Sequence, residues 1–275
     1  MPFGLPTYHL LGLLNWLTPK AKGSRRAAMG LSYGPKLRQK LDVYAPSAGS
    51  GPWPLITFFY GGSWDAGERR YYEFAGRALA VAGYVVAIPD YRLIPEIEYP
   101  AFLADCAEAV AFALTHAPQW GGDPSRLILA GHSAGAYNAA MLLLDGRYLA
   151  ARGLADRVKA LVSLSGPFDF YPFDVPASLR AFAAAPDLRA TQPVNLVRPD
   201  LPPVWLAHGD ADRLVGKRNS MALAKALRQS GNSVEEHYYP DISHPGTLLA
   251  LGGPTARKAS VLADLVTFLE RTVAA

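Results

Sequence analysis

The chain has 275 residues, half of them hydrophobic, and its formal net charge at pH 7 is +4. This length is enough for one large domain or two small ones. Its cationic residues do not gather into a dense run, and pairs such as Arg25-Arg26 and Arg69-Arg70 stand isolated. A nucleic-acid-binding protein usually concentrates its positive charge on one face. We therefore expect no nucleic-acid partner.

The N-terminal segment, residues 1–27, is apolar without resembling a secretory signal. It lacks a basic start and a small-residue cleavage site, and Gly12 and Asn15 interrupt its apolar core. No apolar run in the chain reaches the ~20 residues that a membrane span needs. We predict a cytoplasmic protein without stable membrane insertion. The segment itself is predicted to be helical, either packed on the domain or serving as a lid or membrane-surface helix.

From residue 31 onward, strand-length apolar runs alternate with segments of helical periodicity. The continuous run LITFFY is typical of a strand that is covered on both faces. Between such runs, apolar residues recur at three- and four-residue steps, as in an amphipathic helix. The predicted elements are an antiparallel strand pair within 31–46, strands at 55–60, 84–90, 126–131, 158–166, 203–209 and 233–240, and helices at 71–82, 101–115, 133–145, 217–230 and from Pro254 onward.

This alternation predicts an α/β fold with a mostly parallel central sheet flanked by helices. It runs from end to end, which favours a single domain over residues 1–275. Residues 166–200 contain several prolines and no clear strand, and we predict that they form a small cap-like insertion. Ligands of such sheets bind beyond the carboxyl ends of the strands. Functional residues are therefore expected just after the strand runs.

A candidate nucleophile follows the strand at 126–131. The sequence GHSAG, residues 131–135, matches G-x-S-x-G and stands between a predicted strand and a predicted helix, which is the context that this motif requires. The glycines leave room for a sharp turn that exposes Ser133. The backbone N–H of Ala134, at the positive end of the helix, would face a developing oxyanion.

A serine hydroxyl needs a base that takes its proton and an acid that orients the base. Of the six histidines, His244 lies in the loop after the last predicted strand, where a base from this edge of the sheet would emerge. Two candidate acids, Asp210 and Asp212, follow the strand at 203–209. Asp241 is a third, although it would have to fold back over only three residues. Spacing alone does not choose between Asp210 and Asp212.

Four stretches together resemble the α/β-hydrolase superfamily: YGGSW, PDYRLIPEIEYPA, GHSAG and HGDADRLV. Within that superfamily the chain is similar to hormone-sensitive-lipase-like esterases and to the small bacterial feruloyl, acetyl and kynurenine-formamidase-like enzymes. The resemblance covers residues 40–250 and implies an α/β-hydrolase fold with a small cap. It also implies that the acid of the triad is Asp212, because the family reads H-G-x-x-D-x-x-V at this place.

The resemblance also extends to YGGSW, where the family has H-G-G-x-[FW]. It implies an oxyanion hole made by the backbone N–H groups of Gly62, Ser63 and Ala134. Tyr60 stands where the family has a histidine that supports the loop, and a buried tyrosine hydroxyl is able to do the same. Further residues are expected to line the substrate pocket. They are Tyr60, Trp64, Phe168 and Tyr171.

These observations predict a serine carboxylesterase that acts on small, short-acyl esters with the triad Ser133, Asp212 and His244. Three alternatives use the same residues differently: a formamidase or amidase, a feruloyl or acetyl glycan-ester hydrolase, and a catalytically silent binding module. The sequence contains no histidine–carboxylate ligand cluster and no phosphate-binding glycine loop, so we expect neither a metal nor a cofactor. The partner is expected to be a small-molecule ester.

Overall fold

The computed structural model of the protein describes residues 7–253 and 256–273. In this part of the chain, the apolar runs identified in the sequence all form strands, and eight strands join into one sheet. The strands are β1 (Ser24–Ser32), β2 (Lys40–Pro46), β3 (Trp53–Phe59), β4 (Val85–Pro89), β5 (Gly122–His132), β6 (Val158–Leu164), β7 (Val204–Gly209) and β8 (Val234–Tyr239).

The strand order is β1-β2-β4-β3-β5-β6-β7-β8. β2 pairs antiparallel with both β1 and β4, whereas every other neighbouring pair is parallel. Parallel strands need crossover connections, and the helices between them supply these. The predicted α/β fold with a mostly parallel sheet is therefore confirmed.

Helices cover both faces of the sheet, and the two that matter most for the site are those that follow β5 and β7. None of the helices in the described ranges is long and apolar enough to cross a membrane. The helices are α1 (Thr7–Leu17), α2 (Glu73–Val81), α3 (Ala101–His116), α4 (Ala134–Leu144), α5 (Arg147–Ala150), α6 (Pro176–Ala181), α7 (Arg218–Gln229), α8 (Gly246–Leu249) and α9 (Val261–Thr272), with 3₁₀ turns at Arg69–Tyr72, Ala117–Trp120 and Pro193–Leu196.

Two predicted boundaries are wrong. β1 begins at Ser24, inside the segment 1–27 that was predicted to be helical, because an edge strand with one side in solvent needs no apolar run to form. The last helix begins at Val261, and the predicted start at Pro254 lies outside the described residues. Residues 256–258 are exposed and non-helical, and the buried face of the helix starts only at Val261.

The carboxyl ends of the parallel strands meet at one edge of the sheet. β5 ends at His132, one residue before Ser133, and its register pairs His132 with Leu164 at the end of β6. In the same way β7 and β8 end side by side, with Gly209 paired to Tyr239. The loops that carry Ser133, Asp212 and His244 therefore leave the sheet at the same edge.

Residues 166–200 pack over α4, whose residues are all buried. The Tyr137 hydroxyl of α4 donates a hydrogen bond to the Thr191 carbonyl at 2.7 Å. Phe168 and Phe182 are fully buried, and the Asn219 side chain of α7 accepts hydrogen bonds from the N–H groups of Phe168 and Asp169. The segment is thus tied to two helices beside the site. Its role as a cap stays a prediction.

Candidate active site

The turn between β5 and α4 holds Ser133 in a conformation that few non-glycine residues adopt, with φ 56° and ψ −124°. The space around this turn explains both glycines of GHSAG. A Cβ on Gly131 would lie 2.3 Å from the Gly135 carbonyl oxygen, and one on Gly135 would lie 2.1 Å from the Phe59 carbonyl oxygen. The Ser133 N–H donates to the Leu164 carbonyl at 2.9 Å. Close backbone packing therefore dictates the glycines and aims the serine outward.

Ser133, His244 and Asp212 form a chain of hydrogen bonds. His244 Nδ1 lies 2.7 Å from Asp212 Oδ2, and His244 Nε2 lies 2.8 Å from Ser133 Oγ. A carboxylate only accepts, so Nδ1 carries the proton and Nε2 is free to accept the serine proton. All three side chains are buried. The three residues predicted from three separate loops are thus in direct contact.

The surroundings of Asp212 keep it ionised. Its Oδ1 accepts the N–H groups of Leu214 at 3.0 Å and Val215 at 2.9 Å, and its Oδ2 also contacts His208 Nε2 at 3.2 Å. Burial would raise the pKa of Asp212, but the hydrogen bonds from His208 and His244 outweigh this and hold the pKa well below its usual range. The carboxylate is therefore able to stabilise a positive charge on His244.

The two competing acids lie at the surface. The Asp210 carboxylate is partly exposed and pairs with Lys217 Nζ at 2.7 Å. Asp241 is exposed and adopts a left-handed backbone conformation with φ 56°. Geometry thus favours Asp212 over both.

His132, the variable residue of GHSAG, links the loops on either side of Ser133. Its Nε2–H donates to the His244 carbonyl at 3.1 Å, and its Nδ1 lies 3.4 Å from the Tyr72 hydroxyl, which accepts the Gly61 N–H at 3.0 Å. Burial, together with unfavourable electrostatics between the two imidazoles of His132 and His244, lowers the pKa of His132 to about 3. The link was not predicted from the sequence, because the five-residue motif offers no signal for it.

A second buried histidine, His208, contacts the same Asp212 oxygen as His244. Its Nε2–H also donates to the Val215 carbonyl at 2.7 Å, and its Nδ1 contacts the Ser220 hydroxyl at 2.9 Å. The sequence did carry a signal here, because His208 is the first letter of the stretch HGDADRLV that contains Asp212.

The loop after β3 contains Gly62 and Ser63, two of the residues predicted to provide oxyanion donors, and this role stays a prediction. Gly62 adopts φ 146°, and a Cβ there would lie 2.0 Å from the Ala66 carbonyl oxygen, so only glycine fits. The Gly62 carbonyl accepts the N–H groups of Asp65 and Ala66, both at 3.0 Å, which closes a tight turn. Ser63 and Ala134 line a cavity of about 250 Å³ beside Ser133, whereas Gly62 does not line it.

Of the four residues predicted to line the pocket, only Trp64 does so. Its indole Nε1–H donates to Asn138 Oδ1 at 3.0 Å, which fixes the ring. Phe168 is fully buried in the core, and Tyr171 points into solvent outside the cavity. Phe170 lines the cavity instead. The other walls include Val175, Leu214, Asp174, Arg213 and Arg218.

Tyr60 was also predicted to line the pocket, and this is wrong. Its ring is fully buried and stacks on Tyr91 with centroids 4.7 Å apart. Its hydroxyl accepts a hydrogen bond from Arg38 Nη2 at 2.7 Å, and the same nitrogen donates to the Gly67 carbonyl at 2.8 Å. Burial raises the pKa of Tyr60 well above its usual value. The residue therefore braces the loop 61–67 from beneath, as its buried hydroxyl suggested.

The sequence of this core matches a known family model. The model of the BD-FAE family matches residues 41–227, which is more than half of the chain. The chain belongs to the BD-FAE family.

Curated relatives of this BD-FAE member are esterases by name. The chain is 28% identical over 250 residues to the isoprenylcysteine alpha-carbonyl methylesterase ICME of Arabidopsis thaliana, covering 82% of this chain and 58% of that one. It is 28% identical over 257 residues to esterase LipC of Mycobacterium tuberculosis, covering 85% and 64%. The chain thus spans about three fifths of the length of these relatives.

Solved structures share the fold. A bacterial heroin esterase superimposes with a TM-score of 0.78 at 23% identity, covering 97% of this chain and 90% of that one. A truncated carbohydrate esterase from gut microbiota superimposes with a TM-score of 0.78 at 21% identity, covering 93% and 98%. The predicted α/β-hydrolase fold is confirmed by these likenesses and by the sheet topology.

Proposed function

We propose that this protein is a serine carboxylesterase that hydrolyses small esters through an acyl-enzyme. The observation that carries the proposal is the pair of contacts at His244, 2.8 Å to the Ser133 hydroxyl and 2.7 Å to the Asp212 carboxylate. A nucleophile, a base and an orienting acid in hydrogen-bond contact are the groups that acyl transfer needs. The esterase names of the curated relatives agree with it.

In the first half of the reaction, His244 Nε2 takes the proton of Ser133 while Oγ attacks the ester carbonyl. The Asp212 carboxylate stabilises the imidazolium that forms. The carbonyl oxygen becomes an oxyanion, and the N–H groups of Ser63 and Ala134 at the cavity wall, with that of Gly62, are proposed to bind it. Collapse of the tetrahedral intermediate breaks the ester C–O bond, and His244 passes its proton to the leaving alcohol.

In the second half, water attacks the acyl-enzyme. His244 takes one proton of the water, and the same oxyanion contacts stabilise the second tetrahedral intermediate. Breaking the bond to Ser133 Oγ releases the acid, and the serine regains its proton from His244. No step requires an oxidant, a reductant or a co-substrate other than water.

The size of the cavity, about 250 Å³, favours small acyl groups. We expect p-nitrophenyl esters of short acyl chains, from about C2 to about C6, to react faster than those of about C10 and longer. A fluorophosphonate probe should label the wild type at Ser133. The Ser133→Ala variant should lose both labelling and turnover. Absence of labelling at Ser133 in the folded wild type would refute the enzyme proposal.

Amide cleavage is the main alternative to ester hydrolysis, because the same triad could attack a formyl amide. A panel that compares N-formyl amides with acetyl and butyryl esters separates the two. We expect higher kcat/KM for the esters. Faster formyl-amide turnover would replace the esterase proposal with a formamidase.

A cytoplasmic location remains part of the proposal. Fractionation of cells that express the native chain tests this location. Recovery of the protein from the outer side of the cytoplasmic membrane would contradict the proposed location.

A further inference from the structure

The helix α1 carries apolar side chains on two opposite faces. Its inner face is anchored: Leu11 is buried, and Asn15 both donates to the Arg70 carbonyl and accepts the Phe74 N–H, each at 3.0 Å. A Cβ on Gly12 would touch the ring of Tyr71 at 3.0 Å, so the helix lies close against the 3₁₀ turn that precedes α2. These contacts hold α1 in one rotational setting on the domain.

The outer face of α1 consequently faces solvent, and it is hydrophobic. This face is formed by Leu13, Trp16 and Leu17, whose side chains are 51%, 78% and 58% exposed, respectively. The helix contains no Asp, Glu, Lys or Arg. A solvent-exposed helix face normally carries polar side chains, so an apolar stripe of this kind indicates contact with another apolar medium.

The chain around this stripe is strongly basic. Residues 1–41 contain no Asp or Glu but seven cationic residues. Those cations are Lys20, Lys22, Arg25, Arg26, Lys36, Arg38 and Lys40.

Some of this charge is neutralised inside the domain, but not all of it. Glu73 of α2 is shared by three cations: Lys20, Arg26 and Arg77. The side chain of Lys20 remains 67% exposed. Lys22 and Arg25 are also exposed. Lys20 and Lys22, three and five residues beyond Leu17, therefore leave positive charge next to the C-terminal end of the apolar stripe, whereas Arg25 donates to the Trp120 carbonyl.

We propose that the outer face of α1 docks the protein on an anionic lipid surface. Leu13 and Leu17 would enter the acyl boundary, Trp16 would lie at the headgroup level, and the neighbouring cations would attract the lipid phosphates. A second copy of the chain fits the stripe less well, because a symmetric contact would bring two such cationic patches together. Docking of this kind lies on the surface and needs no membrane-spanning helix.

The test is cosedimentation of the full-length protein with two kinds of vesicle, phosphatidylcholine alone and phosphatidylcholine mixed with phosphatidylglycerol. We expect the wild type to bind the mixed vesicles, with binding about tenfold weaker to phosphatidylcholine alone. Raising the salt from about 0.1 M to about 0.5 M should release it. The variant L13Q/W16Q/L17Q should bind the mixed vesicles at least about tenfold more weakly.

Trp16 also reports the contact directly, because it is the most exposed of the chain's five tryptophans. Its emission should shift to shorter wavelength when mixed vesicles are added. Trp16→Phe should abolish the shift while binding persists. Met221→Gln, which removes a 51% exposed apolar side chain on α7, is the matched control and should bind like the wild type.

The triple variant should hydrolyse a soluble ester and give a far-UV circular dichroism spectrum like the wild type. Its loss of vesicle binding would then not be caused by misfolding. Ser133→Ala should bind vesicles like the wild type. A failure of the docking proposal can therefore be distinguished from a failure of the proposed catalytic activity. The proposal is overturned if the wild type ignores mixed vesicles, binds both vesicles equally, or keeps its binding in the triple variant. A concentration-dependent dimer that the triple variant abolishes, without vesicle binding, would assign the stripe to a second copy instead.

Discussion

Two carboxylates two residues apart, Asp210 and Asp212, have opposite environments. Asp212 is buried and accepts hydrogen bonds from His244, His208 and two backbone N–H groups, whereas Asp210 pairs with Lys217 at the surface. Only the buried carboxylate touches the imidazole. Its exposed neighbour therefore offers a control in which the same chemical change is made two residues away, at a carboxylate that pairs with Lys217.

We expect Asp212→Asn to lower kcat by about 10⁴-fold, because the amide leaves His244 in the wrong tautomer and cannot stabilise its positive charge. Asp210→Asn should keep kcat within about twofold, because an exposed ion pair contributes little. Initial rates on one p-nitrophenyl ester measure both. Equal losses in the two variants would show that Asp212 is not the orienting acid.

The loop 61–67 that follows β3 is held by side chains that come from elsewhere in the chain. Arg38, in the turn between β1 and β2, donates to the Tyr60 hydroxyl, the Gly67 carbonyl and the Tyr91 carbonyl. Tyr91, which follows β4, donates its hydroxyl proton to the Tyr60 carbonyl at 2.8 Å. The rigidity of the loop that carries Ser63 therefore depends on two other connections of the sheet, the turn between β1 and β2 and the segment after β4.

Replacing Tyr60 should show what this bracing contributes. We expect Tyr60→Phe to lower the free energy of unfolding by about 1–2 kcal/mol, because it leaves Arg38 without one of its acceptors. Tyr60→His should cost about 2–4 kcal/mol, because the smaller ring also leaves a void against Tyr91. Both should lower kcat several-fold by loosening the loop. Urea unfolding and initial rates measure these effects.

The control for this pair is Tyr171→Phe, which removes the hydroxyl of an exposed tyrosine and should change neither stability nor kcat. Wild-type stability in Tyr60→His would contradict the bracing role. It would also mean that tyrosine and the histidine usual in hormone-sensitive-lipase-like esterases are interchangeable here.

The stability of the entire fold depends on pH through a buried histidine at this edge of the sheet. His132 is buried and has its pKa lowered from 6.5 to about 3. Between these values the unfolded chain binds a proton that the folded protein excludes, so stability rises with pH across this window. Acid therefore unfolds the protein partly through a residue adjacent to the nucleophile.

We expect the free energy of unfolding to fall by a few kcal/mol as the pH is lowered from about 6.5 toward about 4, because each unit of pKa difference is worth about 1.4 kcal/mol. His132→Gln should flatten this slope, even though the variant is less stable at neutral pH. His116→Gln, at the partly exposed end of α3, should keep the wild-type slope. Denaturant unfolding at several pH values measures the slopes, and identical slopes in all three proteins would contradict the assignment.

Most of the fold was readable from local patterns. Apolar runs marked the inner parallel strands β3 to β7, because a strand covered on both faces must be largely apolar, whereas the edge strand β8 carries Glu235, Glu236 and His237. Helical periodicity marked α2, α3, α4 and α7 to within a few residues. The errors fell at β1 and at the start of α9, where an exposed edge strand and a turn carry little pattern.

The candidate triad and the glycines of its turn were also predictable, because chemistry and close packing limit those positions to few residue types. What the sequence could not decide were contacts between side chains far apart in the chain. Arg38 under Tyr60, Tyr72 beside His132 and Phe170 in place of Phe168 at the cavity all depend on how distant segments meet. The same holds for α1: its composition is visible in the sequence, but only its anchoring on the domain determines which apolar face is left exposed.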